Sequence, residues 1–211
     1  MKRLLSALLL SATLAQAAGP ADTADTAAAM MKAAELNDGR SITTLLLRGA
    51  DPNVRDARGM TALHVSVRED SRRAFDSLLA DPRLDVDAAN ADGETALMLA
   101  AIAGRLDWAQ KLAKQGARIN RDGWTPLHYA CSGPDNGVVA WLLAQGADLN
   151  ARSPNGTTPL MMAARYGALD TADILLKAGA DASLRNEQQL SAADFARAAG
   201  RDALIKRLPA N

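Results

Sequence analysis

Thr125-Pro126-Leu127-His128 is the stretch on which the fold turns, because relatives of it stand at regular distances on either side. Thr61-Ala62-Leu63-His64, Thr95-Ala96-Leu97-Met98 and Thr158-Pro159-Leu160-Met161 repeat its pattern, and Ser191-Ala192-Ala193 is a worn fifth copy. The intervals between successive copies are 34, 30, 33 and 33 residues. A fixed period of this length marks a repeat architecture, in which each unit buries its apolar face against the next.

A second motif runs in phase with the first: Gly49-Ala50-Asp51, Gly116-Ala117-Arg118, Gly146-Ala147-Asp148 and Gly179-Ala180-Asp181. Polar turn segments lie between the two, as in Asp56-Ala57-Arg58-Gly59, Asn90-Ala91-Asp92-Gly93 and Ser153-Pro154-Asn155-Gly156. The residue types have physical reasons to recur. A Thr hydroxyl accepts a free N–H at a helix start, and Pro suits the first helical turn. Leu63, Leu97, Leu127 and Leu160 then begin the buried stripe of a short first helix. Ala100, Ala130 and Ala163 keep that helix thin, and Gly104 and Gly167 are expected to end it in a left-handed turn. Leu142-Leu143 and Ile174-Leu175-Leu176 supply the larger apolar side chains of a second helix, closed by Gly116, Gly146 and Gly179. The polar stretch that follows reads as a hairpin-like finger.

Two helices and a finger about every 33 residues, opened by Thr-Pro-Leu-His, resemble the ankyrin repeat. The resemblance runs from about residue 25 to residue 208. It implies an all-α solenoid of paired antiparallel helices with short hairpin fingers. About six repeats are expected, with degenerate caps at both ends. Residues 25 to 53 lack the Thr-Pro-Leu entry, and residues 186 to 208 carry Gln189 where glycine belongs, as suits terminal units with a polar outer face.

Composition agrees with thin, closely stacked helices, since aromatic residues make up only 3% of the chain. Lys plus Arg and Asp plus Glu each number 24, so no net field draws nucleic acid or anionic lipid. The N-terminus has its own pattern. Lys2 and Arg3 precede an apolar run from Leu4 to Leu14, and Ala15-Gln16-Ala17 places small residues where a signal peptidase cuts. The run is shorter than the roughly 20 residues of a membrane-spanning helix. The layout read from the sequence is a signal peptide at 1–17, a short linker at 18–24 and the repeat domain at 25–211. The expected destination is a bacterial periplasm, with no membrane insertion after cleavage. A single cysteine, Cys131, can make no intramolecular disulfide there.

Catalytic readings find little to work with. His64 and His128 are the only histidines, and both stand fourth in the tetrapeptide, two repeats and roughly 20 Å apart at one helix spacing per repeat. They cannot share a metal, and the resemblance gives their rings a structural role between finger and helix. Cys131 follows Ala130 on the buried side of a first helix, where a thiol behaves as a small apolar group. Neither a phosphate-cradling glycine loop nor a metal or cofactor site is expected, and the chain is read as no enzyme.

The side chains not needed for stacking then carry the function: the finger positions and the ends of the first helices. Arg58, Met60, Arg68, Glu94, Trp124, Arg165 and Tyr166 are the candidate protein-binding residues, with Glu69, Asp92, Ile102 and Glu187 beside them. The set mixes both charges with two aromatics, the composition of a protein-binding face. Trp124 and Tyr166 are singled out because the repeat is broken near them. From Asn120 to the following Gly123 is three residues, against six from Asn53 to Gly59, Asp87 to Gly93 and Asn150 to Gly156. One finger in mid-array is therefore cut short, beside Trp124.

Two roles are open at this stage. One is a scaffold or partner of a resident periplasmic protein, with oxidative-stress defence as an example. The other is an immunity protein that blocks a toxic enzyme delivered to the periplasm. The chain is expected to be a monomer. Export is directly checkable: N-terminal sequencing of the protein from a periplasmic extract should begin at Ala18. A chain that keeps Met1 and fractionates with the cytoplasm would contradict it.

Overall fold

Thr61, Thr95, Thr125 and Thr158 each hold an extended backbone, and a helix starts at the next residue; Ser191 does the same in the worn fifth copy. The computed structural model describes residues 20–208, so the signal-peptide residues 1–17 lie outside the described residues. Within them twelve helices follow one another in six antiparallel pairs. These are α1 (Pro20–Glu35) with α2 (Gly39–Leu47), α3 (Ala62–Arg68) with α4 (Arg72–Leu79), and α5 (Ala96–Ile102) with α6 (Leu106–Lys114). Then come α7 (Pro126–Ala130) with α8 (Asn136–Ala144), α9 (Pro159–Tyr166) with α10 (Thr171–Lys177), and α11 (Ala192–Ala198) with α12 (Asp202–Ile205). The fold is the all-helical repeat solenoid expected. Helix α1 starts at Pro20, so residues 20–24, read from sequence as linker, belong to the first helix.

The Gly-Ala motif ends the second helices by one device. Gly116, Gly146 and Gly179 have φ of +95°, +79° and +95°. The amide of the following Ala117, Ala147 or Ala180 donates to a carbonyl five residues back, at 3.0 Å in each case. This closes the last turn of the helix. The alanine methyl then lies buried against the core, which explains why the two residues travel together.

The core is a continuous file of small and medium side chains passing through all six pairs. Leu63, Leu97, Leu127 and Leu160 are buried at the start of the first helices, and Ala100, Ala130 and Ala163 are fully enclosed. Close approach is also carried by glycine. A Cβ on Gly133 would sit 2.7 Å from the Ile102 carbonyl oxygen, and one on Gly167 would sit 2.5 Å from that of Cys131. The structure corrects the expected role of Gly167: its φ is −65°, so it is glycine for lack of space and not for a left-handed turn. Gly104, at φ +68°, does make that turn. Gln189 in the last finger takes φ +61° although it is not glycine.

Two of the largest buried side chains meet at a seam between second helices. Trp108 on α6 lies on Phe75 of α4 with ring centres 4.2 Å apart, and the guanidiniums of Arg72 and Arg105 stand over its ring at 5.6 and 5.2 Å. Trp141 packs half-buried against the same core. Among the described residues no helix is long and apolar enough to cross a membrane. Because stability is a sum of neighbour contacts, Leu127→Ala in the middle of the array should cost about 2–5 kcal/mol. An unchanged midpoint of chemical denaturation would show that this side chain is not part of the load.

Candidate functional site

The tetrapeptide histidines have a defined job. The Thr61 amide donates to His64 Nδ1 at 3.1 Å, so the ring proton is on Nε2, which donates to the Glu94 carbonyl of the next repeat at 3.0 Å. His128 repeats the arrangement, with Thr125 N at 3.2 Å from Nδ1 and the Thr157 carbonyl 3.0 Å from Nε2. Each imidazole closes its own helix start and holds the next finger. Burial pushes both pKa values below the ordinary 6.5 and keeps the rings neutral. Cys131 is enclosed, and burial pushes its thiol pKa up, away from a reactive thiolate.

The fingers are tight turns, closed by Asp56 N to Met60 O (2.9 Å), Asn90 N to Glu94 O (2.9 Å), Ser153 N to Thr157 O (3.0 Å) and Asn186 N to Leu190 O (3.0 Å). Full-length neighbours join through the backbone: Ala91 N donates to Arg58 O, and Glu187 N to Asn155 O, both at 3.0 Å. The third finger, residues 119–124, is the short one. Its link to the second is a side chain, Arg121, whose Nη1 donates to the Gly93 carbonyl at 2.9 Å.

Beside this short finger a groove of about 450 Å³ opens across three repeats. Ile102 from the end of α5, Trp124 from the finger, His128, Tyr129 and Ser132 from α7 and its end, and Met162 and Tyr166 from α9 line it. Trp124 is half-buried and meets His128 and Tyr129 edge to face, with ring centres 5.2 and 6.5 Å away. The Tyr129 hydroxyl donates to Glu94 Oε1 at 3.1 Å, and Asn90 Nδ2 donates to Glu94 Oε2 at 2.8 Å. Burial first, and then the charge of Glu94, raises the Tyr129 pKa, so the hydroxyl stays a donor. Tyr166 is 54% and Ile102 40% exposed, which leaves apolar area uncovered at the mouth.

The candidate residues divide. Trp124 and Tyr166 share this groove, and Arg165 lies against it with its guanidinium 5.3 Å from the centre of the Tyr166 ring. Glu94 stands at its edge, engaged by Tyr129 and Asn90. Arg58 and Arg68 are exposed, but they line a different groove, between α1 and α3, and Arg68 pairs with Glu69 at 2.8 Å. Met60 is corrected: it is 5% exposed, with its sulfur 3.4 Å from Asn90 Nδ2, and belongs to the core. Tyr129 and Met162 are groove residues that the sequence reading passed over, because both follow the fourth tetrapeptide position inside a helix. The available signal was chemical: Val65 and Leu99 hold that position elsewhere, and a tyrosine there has a hydroxyl that needs a partner.

These features define a class: a helical-repeat solenoid whose fingers and first helices present one continuous face. The family model for ankyrin repeats (three copies) matches residues 30–122 and 118–186, and the chain belongs to the ankyrin-repeat family. Among curated relatives, the protein glp-1 of Caenorhabditis elegans is 29% identical over 186 residues, which is 81% of this chain and 14% of that protein. The chain spans only 14% to 34% of the length of such relatives. Two solved structures resemble it over most of both chains. A chain in the complex of the predatory endopeptidase Bd0816 from Bdellovibrio bacteriovorus with immunity protein Bd3460 is 29% identical, with a TM-score of 0.71. The match covers 84% of this chain and 95% of that one. The ankyrin repeat domain of Bcl-3, a member of the IkappaB protein family, is 31% identical with a TM-score of 0.69, over 84% and 81% of the two chains.

The neutral histidines make stability depend on pH. Their folded pKa values lie below 6.5, so the unfolded chain binds protons first as pH falls. Their contribution is complete above pH 6.5 and declines as pH drops toward the folded values. The denaturation midpoint should therefore fall between pH 7 and about pH 5, above the range where the depressed carboxylates titrate. His128→Met, which copies the residue of the Met161 repeat, should lose part of that slope, and the double variant with His64→Met the rest. An unchanged slope in the double variant would place the titration elsewhere.

Proposed function

We propose that the chain is a protein-binding module without chemistry of its own, exported to the periplasm, which holds its partner on the face made by the fingers and first helices. The observation that carries this reading is the aromatic groove across α5, α7 and α9. A wall of Trp124, Tyr129 and Tyr166 with half-exposed rims has the composition of an interface hot spot, and the surrounding backbone is fixed by buried hydrogen bonds. Preorganisation of this kind keeps the entropy cost of binding low.

Of the two partner roles left open by the sequence, the immunity role has the better support. The likeness to a chain of the endopeptidase–immunity protein complex extends over 95% of that chain, so the resemblance is one of whole architecture and not of one repeat. On this reading the partner is a hydrolase acting on the cell envelope, and the solenoid occludes it. The test is to immobilise the mature protein, pass its own periplasmic extract over it and assay the captured enzyme free and bound. With that partner in hand, Trp124→Ala and Tyr166→Ala should each weaken binding by ~2 kcal/mol or more, the scale of a hot spot. Unchanged affinity in both, with folding intact, would move the site off this groove, and a captured enzyme as active bound as free would end the inhibitor reading.

A further inference from the structure

The charge around the groove is uneven, and its pattern bears on what enters. Glu94 accepts bonds from two neutral donors, Tyr129 Oη and Asn90 Nδ2, so its negative charge is hydrogen-bonded but not neutralised. Asp92, two residues earlier at the tip of the second finger, is exposed, and so is Asp122, two residues before Trp124. Neither is in an ion pair among the described residues. Arg121 opposes Glu94 and Asp92 at the Tyr129 hydroxyl with its Nη1 already committed to the Gly93 carbonyl, and Arg165 stands over the Tyr166 ring at 5.3 Å on the α9 side, away from these carboxylates. At the N-terminal end of the same face Arg55, Arg58 and Arg68 stand beside Glu35 and Asp56, so charge there is mixed and Arg68 is paired with Glu69.

Aromatic walls beneath an acidic rim are complementary to a long cationic side chain. Its aliphatic stem is desolvated against the rings, its charge is attracted to their faces, and its head reaches carboxylates at the rim. Trp124 and Tyr129 stand at 89° to each other, 6.5 Å between centres, so two ring surfaces of different direction border one space. A neutral apolar side chain would gain the walls but leave Glu94 with a poorer environment, since water is displaced and no counter-charge supplied.

We propose that the groove between Trp124, Tyr129 and Tyr166 receives an arginine or lysine side chain of the partner protein, with Glu94 and Asp92 as its counter-charges. This rests on the protein-binding reading and specifies what that site recognises.

The experiment uses the full mature chain and two capped dipeptides, acetyl-Leu-Arg-amide and acetyl-Leu-citrulline-amide, which differ in charge and barely in shape. The reporter is the Trp124 indole N–H resonance, assigned by its loss in Trp124→Phe. The arginine peptide should shift this resonance in a saturable, salt-sensitive way, and the citrulline peptide should bind roughly ten-fold more weakly, the scale of a lost charge-assisted contact. Glu94→Gln should weaken the arginine peptide, and so should Asp92→Asn, whose side chain is exposed, so that loss of binding there is not loss of folding. Equal binding of the two peptides, or an undisturbed Trp124 resonance with both, would overturn the proposal. Neither result bears on whether the chain captures a protein, which the periplasmic capture decides separately.

Discussion

Adjacent first helices approach until backbone touches backbone, and most of the molecule follows from that contact. The Gly133 α-carbon faces the Ile102 carbonyl and the Gly167 α-carbon faces that of Cys131, at separations with no room for a methyl group. Such spacing requires alanine in the middle of the helices, and Ala100, Ala130 and Ala163 fill the seam completely. Volume removed from the first helices must be recovered elsewhere. It returns as Leu78, Trp108, Leu112 and Leu142 on the second helices. Ala100, Ala130 and Ala163 stand on the first-helix side of the array, and Trp108 with its leucine neighbours on the second-helix side. The front, where the fingers stand, becomes the face on which side chains are free of packing duties.

Freedom on that face is local, and backbone bonding shows where it lies. Full-length fingers are joined amide to carbonyl, as between Arg58 and Ala91 or Asn155 and Glu187. The short third finger is held by side chains: Arg121 to Gly93 on one side, and Asn120 Nδ2 to the Gly146 carbonyl at 2.9 Å on the other. Trp124 and the groove stand at that interruption. With three residues fewer in this finger, Trp124 and, on α7, Tyr129 line the groove.

The sequence was legible where periodicity and local backbone chemistry decide the structure. Thr125-Pro126-Leu127 and Gly146-Ala147 announce helix starts and stops by residue type alone, and two motifs in fixed phase leave one architecture. It was less legible where the answer depends on the neighbouring repeat. Met60 occupies a finger position that pattern alone assigns to the surface, yet Asn90 of the next finger folds over it. Gly167 matches Gly104 by register, but the carbonyl it faces belongs to the repeat before. The groove floor was missed for the same reason, because Tyr129 and Met162 sit at helix-interior positions that the neighbouring repeats cover only in part.

The fourth tetrapeptide residue shows how the array divides its rigidity. His64 and His128 carry a second nitrogen that donates to the next finger, whereas Met98 and Met161 offer their own threonine amides a sulfur at 3.5 and 3.4 Å and have no donor to extend. The ties are therefore present from α3 toward the second finger and from α7 toward the fourth, and lacking from α5 toward the third. A thioether accepts weakly, so the repeat boundary ahead of Trp124 lacks this buried tie and is crossed instead by Arg121 to the Gly93 carbonyl and by the Tyr129 hydroxyl to Glu94. The groove thus has one wall fixed through His128 and the Thr157 carbonyl, and another to which α5 contributes the apolar side chain of Ile102, its repeat tied across by Tyr129 and Glu94.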